Sequence, residues 1–319
     1  MNTAIVIPAY NEEKTIREVV QSFHSAKPDA LLYVVDNNSN DATAGIARES
    51  LAALGIKGDV IFVKAQGKGN AIREAFHKID ADFYVIADAD GSHSAEDLEK
   101  LIAPVVNDEC DMTVGDRLTK GRYAAENKRL FHGFGNKLVK NFINLVFRSR
   151  LSDIMSGYRV FNRAFVDNLP ILSPGFQIET EITLHALDKK WRIKEIPIEF
   201  TERSHGNPAK LKTFSDGFRV LKTIFLVFKD FKPLYFFGLW ALLFFLVGLY
   251  FGIPVIVSFI KTKLVGLILS AVLSTGLMIL SILSLAIGLI LDSVVKFHKL
   301  DYHVKLNNYY SAHRFKVTV

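Results

Sequence analysis

Cysteine is almost absent from this 319-residue sequence, with Cys110 as its sole representative. An intramolecular disulfide is therefore excluded, and the usage fits a reducing compartment. Two familiar nucleotide signatures are also missing. The first apolar segment runs into Pro8-Ala9-Tyr10-Asn11-Glu12, with none of the glycines of G-x-G-x-x-G that let a backbone approach a dinucleotide pyrophosphate. Gly67-Lys68-Gly69 lacks the glycine spacing and the Ser or Thr of a Walker loop, so Gly67 to Asn70 reads equally as a phosphate loop or an ordinary turn. Charge is missing too, from two long stretches near the end of the chain.

Those stretches are PLYFFGLWALLFFLVGLYFGIPVIVSFI from Pro233 and LVGLILSAVLSTGLMILSILSLAIGLIL from Leu264, separated by Lys261, Thr262 and Lys263. Each exceeds the roughly 20 apolar residues that cross a bilayer core, which predicts transmembrane helices over about 234–259 and 264–293. Both lie far from the start of the chain, whose first residues are strand-like, so neither reads as a signal peptide. Before the first run stand Lys210, Lys212, Arg219, Lys222, Lys229 and Lys232 against Asp216 and Asp230. After the second stand Lys296, Lys299, Lys305, Arg314 and Lys316 against Asp301. The positive-inside rule then predicts both termini and the N-terminal domain on the cytoplasmic face of the cell membrane. The chain carries +6 overall, yet its first 209 residues are net acidic. Its basicity belongs to the membrane-proximal part, pointing to anionic lipid rather than nucleic acid.

The expected organisation is a domain over 1–212, an amphipathic approach helix over 213–232, the hairpin over 233–295 and a basic tail over 296–319. In the approach segment Phe214, Phe218, Leu221, Phe225 and Phe228 share one helical face, with lysines interspersed. Such a helix lies in the interface or packs on the domain. Gly248 and Gly252 form a G-x-x-x-G pattern that permits close helix packing and a homo-oligomer.

Within the first 200 residues, TAIVIPAY, LLYVVDN, DVIFVKA, DFYVIADAD and CDMTVGDR read as strands. EEKTIREVVQSFHSA, ATAGIARESLAAL and GNAIREAFHKI read as helices between them. The alternation predicts an α/β fold: a Rossmann-like, mostly parallel sheet with helices on both faces. Ligands collect at the carboxyl ends of such strands, where every segment here turns polar or glycine-rich. Asp88-Ala89-Asp90 is the most informative of these ends. Two carboxylates one residue apart, where a strand dissolves into a loop, suit a hard cation such as Mg2+ or Mn2+ bridging the phosphates of a nucleotide diphosphate. His93 beside them is either a ligand or a contact behind the ligands. Glu179 and Glu181 either serve the acceptor, by orienting it or as a base, or are helix-start charges.

IVIPAYNEE, VVDNNSNDAT, GKGNAIR, DADGSH, SGYRVFNR and RSHGNPAKL occur in the order seen in family 2 glycosyltransferases of the GT-A fold. Over residues 3–295 the chain resembles the dolichyl-phosphate mannose synthase branch, which includes bacterial polyprenyl-phosphate glycosyltransferases with two C-terminal membrane helices. The resemblance implies that Pro8, Tyr10 and Glu12 surround the nucleoside and that Asp36 holds the base and ribose side. It implies further that Lys68 joins the donor site and that Asp88 and Asp90 hold the metal and diphosphate. Arg117, Arg203 and Lys210 match basic residues around the donor diphosphate or acceptor phosphate, and Arg159 matches one near the acceptor. Three positions depart from the pattern. Asn37 stands for a second aspartate, Ser92 for a metal-binding glutamine, and Ala209 for a serine.

A phosphate monoester acceptor suits this set, because its second pKa near 6 leaves it largely a dianion at neutral pH, and it needs no general base. The protein must instead hold two anions together, a task for arginine and lysine. The expected reaction moves sugar from a nucleotide diphosphate sugar to polyprenyl phosphate with inversion. UDP-glucose or UDP-N-acetylglucosamine is the first expectation for the donor and GDP-mannose the second. A processive polysaccharide synthase would carry more membrane helices and a Q-x-x-R-W motif, whereas Trp191-Arg192 follows Leu187-Asp188 without that glutamine. A non-catalytic scaffold would have lost the paired aspartates or the basic cluster.

Overall fold

The computed structural model describes residues 1–118, 130–173, 178–199, 222, 224–264 and 267–314, with backbone alone for 130–136 and 313–314. The chain divides into two compact units, Met1–Asp216 and Gly217–Val319.

All five expected strands form: β1 (Thr3–Ala9), β2 (Leu31–Asp36), β3 (Gly58–Phe62), β4 (Phe83–Ile86) and β5 (Met112–Asp116). Between them lie α1 (Ile16–Ala26), α2 (Thr43–Ala53), α3 (Lys68–Lys78) and α4 (Leu98–Val106). Then follow α5 (Leu130–Phe147), β6 (Arg159–Asn162), α6 (Arg163–Asp167), α7 (Ile178–Asp188) and β7 (Ile193–Pro197). β6 and β7 are two strands that the apolar pattern did not single out. β6 is four residues long and opens on a buried arginine, and β7 carries Lys194 and Glu195 on a half-exposed edge.

The sheet order is β3-β2-β1-β4-β6-β5-β7. β1 lies parallel to both β2 and β4, and Ala4, Ile5, Val6 and Ile7 are fully buried, as a central strand covered on both faces requires. α1 covers one face with Ile16, Val19, Val20 and Phe23, the spacing of a single helical stripe. β6 is antiparallel to both β4 and β5. β5 therefore runs in the direction of β4, so the carboxyl ends of β1 to β5 open on one edge. The reversed β6 brings its amino end, preceded by Ser156-Gly157-Tyr158, to that same edge.

In the second unit, α8 (Pro233–Thr262, 30 residues) and α9 (Ile268–Arg314, 47 residues) are both long and apolar enough to cross a membrane. At 1.5 Å per residue α8 reaches about 45 Å. α9 continues well beyond 293, through the stretch expected to be a separate tail, and carries the i,i+4 ion pairs Asp292–Lys296 and Asp301–Lys305, each at 2.8 Å. Residues 213–221 and 223 of the approach segment lie outside the described residues. Of its described residues, 222 and 224–231 are helical, and the rings of Phe225 and Phe228 meet Phe236 edge-on at 5.0 and 5.6 Å.

Small residues bring the two long helices together. Ser274 Oγ donates to the Gly248 carbonyl and Ser281 Oγ to the Ala241 carbonyl, both at 2.8 Å. A Cβ on Gly252 would stand 2.5 Å from Ser274 Oγ. The G-x-x-x-G face is thus occupied within the hairpin itself.

Candidate active site

The loops after β1 and β2 are built around asparagine. Asn11 and Asn38 sit at φ 56° and 62°, a left-handed conformation that asparagine tolerates. Asn11 N–H donates to Ser39 Oγ at 3.0 Å, and Asn11 Oδ1 accepts from Asn40 N–H at 2.8 Å, tying the two loops together. Glu12 N–H donates to Thr43 Oγ1 at 2.8 Å, and Thr15 Oγ1 donates to the Ala89 carbonyl at 2.7 Å, joining this corner to the paired aspartates. Pro8 is half-buried in β1 and Tyr10 is exposed beyond it. Asp36, buried at the end of β2, accepts from Ser39 N–H at 3.3 Å.

The third strand end delivers a lysine. Asn37 Oδ1 accepts from Gly67 N–H at 2.6 Å, while its Nδ2 donates to the carbonyls of Ala65 at 2.8 Å and Val63 at 3.4 Å. Gly67 sits at φ 126°, which disfavours any side chain, and α3 starts immediately after it. Lys68, the first residue of α3, is buried. Its Nζ lies 2.5 Å from Asp88 Oδ1 and 2.6 Å from Glu179 Oε1. Burial opposes the ammonium, but attraction to the two carboxylates outweighs it and lifts the lysine pKa above its ordinary value. Burial likewise opposes the Asp88 carboxylate, and Lys68 more than compensates, holding it well below the usual carboxylate range. Both groups are charged throughout the neutral range. Gly157 closes over them: a Cβ there would lie 2.8 Å from Lys68 Nζ and 2.9 Å from Asp88 Oδ2.

Asp90 is buried, and its Oδ1 accepts from both Ser92 N–H at 3.0 Å and Ser92 Oγ at 2.6 Å. Ser92 therefore orients Asp90 rather than extending a ligand of its own. His93 is stacked on Tyr158, with centroids 4.9 Å apart, and its Nδ1 accepts from Asp88 N–H at 3.0 Å. Burial lowers its pKa, favouring the neutral ring. His93 thus stands behind the aspartates, as a support. Among the described residues no group of three or more His, Cys, Asp or Glu side chains forms a ready metal cage. Asp88 and Asp90 nonetheless supply the carboxylate oxygens that a hard divalent ion takes, and further ligands would come from substrate and water.

Residues 4–169 match the family model for glycosyl transferase family 2. The chain belongs to this family. It is similar to the UDP-N-acetylglucosamine–dolichyl-phosphate N-acetylglucosaminyltransferase of Methanococcus voltae, with 30% identity over 63% of this chain and 86% of that protein. It is also similar to the polyprenol monophosphomannose synthase of Mycolicibacterium smegmatis, with 28% identity over 64% and 79%. Among solved structures, glucosyl-3-phosphoglycerate synthase from Mycobacterium tuberculosis, in complex with Mn2+, UDP and phosphoglyceric acid, superposes with a TM-score of 0.55. It shares 20% identity and covers 72% of this chain and 78% of that one, a likeness of GT-A fold.

The arginines of this glycosyltransferase differ in what they touch. Arg117, just past β5, meets Asp153 through two parallel bonds, Nε to Oδ2 at 2.7 Å and Nη2 to Oδ1 at 3.0 Å. Glu195 on β7 in turn accepts from the backbone N–H groups of Ser152 and Asp153 at 2.7–2.8 Å, fixing that loop. Arg159 points inward. It is fully buried, donating to the carbonyls of Ser156 at 2.8 Å and Ile154 at 2.9 Å and to Thr183 Oγ1 at 3.0 Å. Burial pulls its pKa down to about 10, so it remains a cation. Its visible work is to hold the turn that carries Gly157. Arg203 and Lys210 lie outside the described residues.

The glycosyltransferase also separates its two helix-start glutamates. Glu179 faces Lys68, whereas Glu181 accepts from Leu172 and Ser173 N–H at 2.7 and 2.8 Å and so fixes the preceding loop. Sequence reasoning missed Asp153, Glu195 and Thr15, isolated polar residues whose partners are remote in the chain. Gly157 had a signal, a glycine inside SGYR, whose meaning depends on contact with Lys68.

Proposed function

We propose that this chain transfers a sugar from a nucleotide diphosphate sugar to a polyprenyl phosphate at the cytosolic membrane face, with inversion at the anomeric carbon. The carrying observation is the Lys68–Asp88–Glu179 cluster beside Asp90, at the carboxyl edge of a sheet whose chain also holds two helices long enough to cross a bilayer. The names of two relatives, one a dolichyl-phosphate N-acetylglucosaminyltransferase and the other a polyprenol monophosphomannose synthase, support that acceptor class.

In this reading Pro8, Tyr10, Glu12 and Asp36 hold the nucleoside, and Lys68 the donor diphosphate. Asp88 and Asp90 hold Mg2+ or Mn2+, which when bound neutralises charge on the departing nucleoside diphosphate. Arg117, Arg203 and Lys210 gather around the phosphates, and Arg159 acts by fixing the Ser156–Tyr158 turn. An oxygen of the acceptor phosphate forms the new bond to the anomeric carbon while the bond to the diphosphate oxygen breaks. The acceptor dianion becomes a phosphodiester monoanion, and no proton needs removal. UDP-glucose or UDP-N-acetylglucosamine is the preferred donor, followed by GDP-mannose. The basic residues flanking the hairpin favour a cytosolic catalytic domain.

The test is to incubate the full chain with undecaprenyl phosphate, Mg2+ or Mn2+ and a panel of labelled nucleotide sugars. A lipid-linked product of inverted configuration is expected, and Asp90→Ala should lower its formation at least about 100-fold. A retained configuration would overturn the single displacement. Absence of product from every donor, with wild type and Asp90→Ala alike, would overturn the enzyme–acceptor assignment.

A further inference from the structure

Lys68 occupies a position where a small cation is already well served. Its Nζ lies between Asp88 Oδ1 at 2.5 Å and Glu179 Oε1 at 2.6 Å, in a cluster whose side chains are 8%, 29% and 10% exposed. The backbone of Gly157 roofs the pair so closely that a single added Cβ would stand 2.8 Å from Nζ and 3.2 Å from Asp88 Oδ1. His93, with Nε2 at 3.8 Å from Asp88 Oδ2, is fixed by its stacking on Tyr158 and by the bond its Nδ1 accepts.

We propose that Lys68 is the resting cation of the Asp88 carboxylate, so that the free enzyme disfavours a divalent ion there and admits it only together with a diphosphate. The inference rests on the cation assignment made above. A doubly charged ion on Asp88 would sit within a few ångströms of an ammonium in a poorly hydrated site, where repulsion is weakly screened. A nucleoside diphosphate brings the negative charge that offsets both cations, so the two ligands bind with positive coupling, each tightening the other by the same factor. Glu179 gives Lys68 a carboxylate to remain on when Asp88 turns to the metal. Lys68 thus sets the order of binding as well as meeting the diphosphate, and Glu179 is a positioning residue that acts through Lys68.

The test uses the full chain in detergent micelles, with Mn2+ as probe, measuring the free ion by electron paramagnetic resonance without nucleotide and then with UDP or GDP in separate arms. Wild type should bind Mn2+ weakly alone and roughly tenfold or more tighter with one of the diphosphates. Lys68→Met should bind Mn2+ alone roughly tenfold tighter than wild type and lose most of that coupling, whereas Lys68→Arg, which keeps the charge, should resemble wild type. Glu179→Gln leaves the ammonium to Asp88 alone and should weaken Mn2+ binding further. It also serves if Lys68→Met fails to fold.

Mn2+ binding to Lys68→Met no tighter than to wild type, or tighter binding to Glu179→Gln, would overturn the proposal, as would a wild type indifferent to both diphosphates. Failure of the acceptor reading would look different: Mn2+ coupling intact and no lipid-linked product.

Discussion

The side-chain amide of Asn37 accepts the Gly67 N–H at 2.6 Å and donates to the Ala65 carbonyl at 2.8 Å, so one residue past β2 fixes the loop that presents Lys68. Asn37→Asp keeps the acceptor but sets a carboxylate against the Ala65 and Val63 carbonyls in a buried site. The substitution should cost about 1–3 kcal/mol of stability, read as a lower thermal midpoint. The KM for the donor should rise with it. An aspartate tolerated without loss would show that the amide clamp is unimportant.

Glu179 and Glu181 should separate cleanly on mutation. Glu181→Ala removes the acceptors for two backbone N–H groups in a partly exposed loop and should lower stability by about 1 kcal/mol, leaving transfer unchanged. Glu179→Ala deprives Lys68 of one of its two carboxylates and should cut transfer on the order of 100-fold. Parallel assays of product formation and melting would reveal any exchange of these roles.

Removing Arg117 should destabilise the protein as well as impair it. Arg117→Ala takes both parallel bonds from Asp153, whose side chain is only 4% exposed, and should cost about 2–4 kcal/mol. Arg117→Lys restores the charge without the paired geometry and should recover only part of that loss in a denaturant titration.

Acid should weaken the fold through His185. Burial, aided by Lys189, pushes its imidazole down from 6.5 to about 4. The folded state therefore favours the neutral ring, while the unfolded chain takes up a proton near 6.5. This contribution is complete above that pH and declines as pH falls toward 4, by up to about 3 kcal/mol. His185→Leu should flatten the decline in thermal midpoint across that window. An unchanged slope would assign the acid sensitivity to other groups.

The five strands β1 to β5, the polar character of their carboxyl ends and the two long apolar helices were legible in the sequence, because alternation, run length and charge exclusion are local properties. The aspartate pair could be picked out for the same reason, standing at the end of an apolar run. Tertiary structure decided what those residues do. Lys68 meets Glu179 across 111 positions of chain. Gly157 reaches them only because β6 enters the sheet antiparallel, a reversal that four residues opening on a buried arginine do not announce. Arg159 turned inward to three oxygens, Glu181 to a loop, and Asn37 to the backbone of the next strand's exit. Periodicity reports that a position is buried or exposed. Which partner it meets depends on strand order and direction, set by packing over the whole sheet, and there Lys68 acquired its two carboxylates.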